Sequence, residues 1–362
     1  MNDYQKSIKT IVIESKDDYV VLKDSIFHQE GGGQPSDKGF IENQEIIKCD
    51  CKKFYLKNNI FKKNQEVTLF IDWDYRYSLM KAHTAEHLLF GSLKKLNPSL
   101  EVEKIQLSIN ESKIFFKGTI SLNDIIQAQI LANEKIKEGL EITEKFVKKE
   151  EVFGARIKID RIKDDNIRII SIGDYDSAAC SGTHLKSTKE IGLIIVTGLK
   201  KESSIITQLS FLTGSKAVEH SIKASALMNE LSSEFNEVPE KLKQRLSVLI
   251  DENKALKADL RNLSDEFLKS ANFTKINGIL FYDSRYIETD KLIKKAYEES
   301  EQSNLVFLSN STIIVAGKNS NDIFCRLKEE FEIKGGGREV KIGKIKNANA
   351  KNIKIKLSRL NY

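Results

Sequence analysis

Apolar residues recur along this chain with two different periods, and the period changes from region to region. Over residues 1–75 they fall in short runs, Thr10–Ile13, Tyr19–Leu22, Phe40–Ile47 and Val67–Ile71, separated by turn-forming residues. Successive side chains of a strand point to opposite faces, so such runs between turn signals predict a small β-domain. Residues 76–214 mix the two periods. Ser78–Leu96 and Leu122–Lys137 carry helical spacing, whereas Ile167–Ile172, Gly192–Thr197 and Ile205–Leu212 read as strands.

Residues 215–272 hold the clearest pattern. Leu242, Leu246, Leu249, Asn253, Leu256, Leu260, Leu263 and Phe267 advance by alternating steps of four and three, which lays one stripe along a helix. Asn253 is the one polar member and suits a position that fixes register or partner. Pro239 falls just inside the start, where a missing N–H costs no helical hydrogen bond. Ala224, Met228, Leu231, Phe235 and Val238 form a second stripe, so a helical hairpin is expected, with an intermolecular coiled coil as the alternative. Residues 273–362 alternate strands (Gly278–Tyr282, Asn304–Leu308, Thr312–Ala316) with helices (Asp290–Ser300, Asn321–Phe331), an α/β pattern. The expected class is α+β in four regions: 1–75, 76–214, 215–272 and 273–362.

Composition narrows the function classes. A chain of 362 residues suggests two or three domains at about 150 residues each, and 40% hydrophobic residues argue against general disorder. Four cysteines, at 49, 51, 180 and 325, make no disulfide framework; Cys49, Cys51 and Cys325 read as small, reduced apolar residues. The longest nearly apolar stretch, Ile191–Leu199, is about half a membrane span. Residues 1–20 show no signal-peptide core, so a soluble, cytoplasmic protein with no membrane attachment is expected.

Charge is unevenly placed. From Lys334 to Tyr362 nine Lys and Arg stand against one acid, Glu339, a local excess larger than the net +6 of the whole chain. The rest is slightly acidic. This basic tail reads as a polyanion-binding surface, with nucleic acid as the leading partner and a lysine-protected strand edge as the plain alternative.

The metal-capable residues are uneven too. His83 and His87, four apart on a predicted helix, project to one side, a metal-ligand spacing. The sequence between them is not the zinc-protease motif, because the acid, Glu86, comes three residues after the first His. Cys180 and His184 add a second compact pair in a glycine-containing turn after a strand. Two imidazoles plus a Cys–His pair match one Zn²⁺ ion, with buried, unligated histidines as the alternative. His220 reads as an ordinary helix residue. His28 borders the run Glu30-Gly31-Gly32-Gly33-Gln34-Pro35-Ser36-Asp37; a loop residue is the plainer reading, a place in a pocket the other. Gly31, Gly32 and Gly33 permit close ligand approach, and Gln34 and Asp37 could bind a small polar substrate, although a tight hairpin explains the glycines equally well.

These residues carry a family resemblance. Glu30–Gly39 (EGGGQPSDKG), His83–Leu89 (HTAEHLL) and Cys180–Gly192 (CSGTHLKSTKEIG) resemble, in the same order, the editing domain of alanyl-tRNA synthetase. The following helices and α/β region resemble that enzyme's C-terminal DHH-associated domain. No aminoacylation core precedes the first motif, so the chain is similar to the stand-alone alanyl-tRNA editing proteins, AlaX, in their long form. The resemblance implies a hydrolase that deacylates tRNA(Ala) mischarged with serine, or with glycine. It implies zinc held by His83, His87, Cys180 and His184, an amino-acid pocket that includes Gln34 and Thr84, and tRNA contacts in the basic tail, for which Arg338, Lys341 and Lys344 are the candidates. A homodimer through the hairpin or the C-terminal domain is a further expectation.

Zinc there could polarise the carbonyl, activate water or position the substrate; Glu86 and Asp174 are candidate general bases. The chain departs from the family pattern at Lys81, where Arg is expected, at Ala178-Ala179 in place of Glu-Leu, at Ser181 in place of Gly, and in the shortness of Gly335–Gly337. Two other functions fit the same residues: a zinc-containing tRNA-binding factor without catalysis, and a hydrolase for another aminoacyl-tRNA such as Ser-tRNA(Thr).

Overall fold

Alternating apolar residues close the first segment of the chain into a barrel. The computed structural model describes residues 3–50, 52–149, 156, 165–269, 272–284, 287–346 and 349–362; Cys51 lies outside them. Strands β1 (Ser7–Ser15), β2 (Tyr19–Leu22), β3 (Gly39–Ile41), β4 (Gln44–Asp50), β5 (Lys53–Leu56) and β6 (Glu66–Ile71) pair in the order β1-β2-β5-β4-β3-β6. Every second residue of β6 is buried, and Val12, Val20, Leu22, Ile41, Phe54 and Leu69 fill the interior with no exposed surface. The run read as Phe40–Ile47 is two strands, because Glu42 turns the chain with φ 49°.

Helix α1 (Trp73–Leu96) follows the barrel. It begins five residues before the predicted start because Asp72 caps it, accepting from the Tyr75 N–H at 3.1 Å. From Leu79 to Leu93 only Lys81 is not buried. A helix surrounded in this way must be apolar on nearly all sides, so the polar residues within it need partners. Around it stand β7 (Glu101–Gln106), β8 (Ser112–Lys117), α2 (Leu122–Glu138), β9 (Ile142–Lys148), β10 (Asn166–Ile172), β11 (Asp176–Ala179), β12 (Ile194–Lys201) and β13 (Ile206–Thr213). They form an antiparallel sheet β12-β13-β8-β7 and a three-stranded sheet β11-β10-β9. Phe116, Phe211, Leu209 and Ile114 from the first sheet pack in one core with Leu88, Leu89 and Phe90 of α1.

Helix α3 (Gly214–Phe235) crosses from this first compact unit, residues 1–229, into the second, residues 230–362. Asn236, at φ 47°, ends it, and Pro239 is the first residue of α4 (Pro239–Lys269). The stripe on α4 is exposed: Leu246, Leu256, Leu260, Leu263 and Phe267 keep between 48% and 64% of their surface.

The second unit continues with β14 (Thr274–Ile276), β15 (Ile279–Asp283), α5 (Thr289–Glu299), β16 (Asn304–Ser309), β17 (Thr312–Ala316), α6 (Ser320–Lys328), β18 (Ile333–Gly336), β19 (Lys341–Ile345) and α7 (Ala350–Leu357). Its sheet runs β14-β15-β16-β17-β19-β18, with β15 and β16 parallel and the other pairs antiparallel. Both faces are covered. Val306, Leu308, Ile313 and Val315 meet α6 and α7, while Leu305, Phe307, Ile314 and Ala316 meet α5. Two-sided burial explains why β16 and β17 read as unbroken apolar runs. The basic segment from Lys334 is therefore not a tail: Ile345, Ile353, Leu357 and Leu360 anchor it in the core.

The chain is thus a mixed α+β protein. Among the described residues no helix is long and apolar enough to cross a membrane. Cys325 on α6 forms no disulfide.

Candidate metal centre

Two elements bring four donor side chains together. His83 and His87 lie one turn apart on α1, with ring centroids 5.4 Å apart. Cys180 and His184 come from the loop after β11. That loop is pinned: the Cys180 N–H donates to the Arg168 carbonyl at 3.0 Å and the His184 N–H to Asp3 Oδ2 at 3.0 Å. The Arg168 guanidinium donates to the carbonyls of Cys180 and Gly182. The result is a cluster whose four donor atoms lie within 4.8 Å of one another. Cys180 Sγ is 3.2 Å from Nε2 of His83 and 3.2 Å from Nε2 of His184. Metal bonds of 2.0–2.3 Å set tetrahedral edges of about 3.3–3.6 Å, so these donors fit an ion that takes nitrogen and sulfur.

Outer partners fix the imidazoles. His83 Nδ1 is 2.8 Å from Gln34 Oε1, which also accepts from the Thr183 N–H at 3.0 Å. A backbone N–H can only donate, so that atom of Gln34 is the oxygen and His83 Nδ1 carries the proton. Nε2 is left with its lone pair toward Cys180, as a metal ligand needs. Gln34 Nε2 donates to Thr183 Oγ1 at 2.8 Å. Thr84 Oγ1 sits 3.3 Å from His184 Nδ1 and accepts from the Leu185 N–H. His87 Nδ1 faces Asp176 Oδ2 at 3.6 Å, and Arg156 grips that carboxylate at 2.9 and 2.6 Å.

Charges within the cluster follow from these neighbours. Burial alone would raise the Cys180 thiol, but His83 and His184 hold it well below the usual thiol range, toward the thiolate that binds metals. Burial presses His184 down to about 3 and keeps it neutral. Burial also opposes protonation of His87, yet Asp176 and Cys180 outweigh it and push the pKa up to about 10.

The glycine run reaches the cluster through Gln34, and its three glycines differ. Gly33, at φ 85°, lies so close to the Ile105 backbone that a Cβ would overlap it, and its carbonyl accepts from the Leu107 N–H at 2.8 Å. Gly31 and Gly32 lie beside the Ser181 hydroxyl. Asp37, read as a substrate contact, is spent elsewhere. It forms a fully buried ion pair with Arg76 and accepts the His28 N–H, tying the glycine loop to α1. Thr84, read as a pocket residue, has no exposed surface and instead supports His184.

A cleft of about 300 Å³ opens beside the cluster, lined by Gly182, Thr183, His28, Arg168, Asp3 and Phe146. His28 is 9% exposed and its Nε2 has no hydrogen-bond partner among the described residues. Glu86 is buried with Oε2 3.9 Å from His87 Nε2, whereas Asp174 is exposed on the turn between β10 and β11. Arg338, Lys341 and Lys344 belong to the second unit. Arg338 is exposed, Lys341 Nζ donates to the Gly337 carbonyl and Lys344 Nζ to Thr312 Oγ1. Sequence reasoning missed Arg76, Asp176, Arg156 and Thr183. Only Arg76 had a signal, a charge two helical turns before His83 on the same face.

Residues 167–212 match the family model of the threonyl and alanyl tRNA synthetase second additional domain, the stretch that contains Cys180 and His184. The alanyl-tRNA editing protein AlaX-L of Pyrococcus horikoshii is 26% identical, over 88% of this chain and 86% of that protein. The alanine–tRNA ligases of Ignicoccus hospitalis and Methanococcus aeolicus are 25% and 26% identical over 92% and 95% of this chain, which spans 39% of each ligase. The chain is thus similar, along most of its length, to the long form of the alanyl-tRNA editing proteins and to about two fifths of alanine–tRNA ligases.

Proposed function

We propose that this chain is an editing hydrolase that deacylates mischarged tRNA(Ala), with Ser-tRNA(Ala) as its main substrate and Gly-tRNA(Ala) as a second. The observation that carries this reading is the His₃Cys cluster, wired through Gln34 and Thr183 to a small cleft. His83, His87, Cys180 and His184 would hold one Zn²⁺ ion. Bound there, zinc would supply a Lewis-acid charge. In the reaction a water oxygen bonds to the ester carbonyl carbon, the bond to the ribose oxygen breaks, and that oxygen takes a proton.

The chain's own residues supply fit. Thr183 Oγ1 accepts from Gln34, which leaves its hydroxyl proton to donate to a seryl hydroxyl. A site that bonds this hydroxyl discriminates against alanine, because the alanyl ester would leave a buried polar group unpaired. Arg338, Lys341 and Lys344 would meet the tRNA backbone, and the exposed stripe of α4 would pair with a second copy. A protein that acts on charged tRNA would work in the cytoplasm.

The test is deacylation of Ser-, Gly- and Ala-tRNA(Ala) beside Ser-tRNA(Thr). Faster turnover of Ser-tRNA(Ala) than of Ala-tRNA(Ala) is expected. No turnover of any would turn the reading to a zinc-containing tRNA-binding factor; preference for Ser-tRNA(Thr) would make it a threonyl-type hydrolase.

A further inference from the structure

Phe146 stands out at the cleft. It lies on β9, an edge strand of its sheet, and keeps 65% of its surface exposed. The other aromatic residue of the cleft lining, Phe27, is 3% exposed and packs edge-on against Phe54 in the barrel core. Phe146 has no ring partner among the described aromatic pairs. Its register partner across β10 is Arg168, whose guanidinium braces the Cys180–His184 loop. Phe146 therefore stands on the same strand pair that positions two of the four metal donors.

We propose that Phe146 is the stacking platform for the terminal adenine of the tRNA. This rests on the editing reading, because the ester joins the aminoacyl group to the ribose that carries that base. When the ester carbonyl sits at the metal cluster, the base can be no farther than the other side of one sugar ring. The cleft has room for an aminoacyl group and a ribose, and the base must then lie at its mouth. An exposed aromatic face there has the chemistry to receive it, since every base offers a π-face.

The test uses a tRNA acceptor minihelix, uncharged, whose terminal adenosine is replaced by 2-aminopurine, a base whose fluorescence is quenched on stacking. Wild-type protein should quench it and bind the minihelix; Phe146→Ala should bind about 10- to 100-fold more weakly with the quench lost, and Phe146→Tyr should restore both. Against a minihelix with an abasic terminal nucleotide, wild type and Phe146→Ala should bind alike. At its exposure the ring carries little folding energy, and an unchanged melting temperature of Phe146→Ala confirms that.

Equal binding of the adenine-ended minihelix by wild type and Phe146→Ala overturns the proposal. So does an equal loss on the abasic end, or absence of quenching in the wild type. Turnover of Ser-tRNA(Ala) by the wild type reports separately on the hydrolase reading: a protein that quenches but does not hydrolyse keeps the platform and loses the hydrolase.

Discussion

Gly182 is the tightest point of the metal centre, and adding one methyl group there should destroy the site. A Cβ on Gly182 would overlap Cε1 and Nδ1 of His83 and lie 2.7 Å from Gln34 Oε1. Gly182 is not in the left-handed region, so the cost is purely steric. Non-bonded carbons rest at about 3.5–4.0 Å, so relief needs a shift of more than about 1 Å. His83 cannot supply it, being buried in the middle of α1 and hydrogen-bonded to Gln34. The loop cannot readily supply it either, since Arg168 and Asp3 hold both of its ends. Metal–ligand distances tolerate about 0.2 Å, so either movement removes a ligand or its orienting partner. Gly182→Ala should lower metal affinity by at least about 100-fold, and overpacking should destabilise the metal-free protein by about 1–3 kcal/mol. Chelator competition measures the first and urea unfolding the second. Gly198→Ala, where a Cβ meets nothing within 4 Å, is the control and should change neither. Wild-type metal affinity in Gly182→Ala would refute the packing described for His83.

Three further outcomes follow from the same contacts. Asp176→Asn removes the charge facing His87 and should weaken metal binding by about 10–100-fold; a change below threefold in chelator competition would show that Asp176 does not orient His87. Arg76→Met strands the buried Asp37 carboxylate and should cost about 3–5 kcal/mol in urea unfolding, much of which the Arg76→Met, Asp37→Leu double variant should recover. Burial holds the His28 pKa at about 4 against an ordinary 6.5, so the unfolded chain takes up the proton first as pH falls. His28 should therefore subtract nothing above pH 6.5 and about 3 kcal/mol once pH has fallen to about 4; unfolding of His28→Gln should lack this component, and identical pH dependence in both proteins would contradict the burial.

The motifs and most of the elements were legible without coordinates. Period-two runs announced β1, β2 and β6, and period-3.6 runs announced α1, α2 and α4, because side-chain direction repeats with the backbone geometry of each element. The spacing of His83 and His87 and the Cys180–His184 pair announced the donors, since one turn of helix and one tight loop keep such residues together wherever the chain goes. Short edge strands such as β7 and β11 were not legible, because their half-buried residues alternate weakly.

Function-bearing detail came from residues distant in sequence. Asp37 reads as a pocket residue until Arg76, brought to it by the barrel-to-helix junction, takes its charge. Thr84 points to His184 only because a loop a hundred residues away closes over α1. Residues 334–362 read as a basic tail, yet their apolar minority, Ile345, Ile353 and Leu357, is what the sheet buries. Spacing along the chain determined which groups could act together; desolvation, which depends on what lies across the core, decided which of them must be paired and which stand open to a substrate.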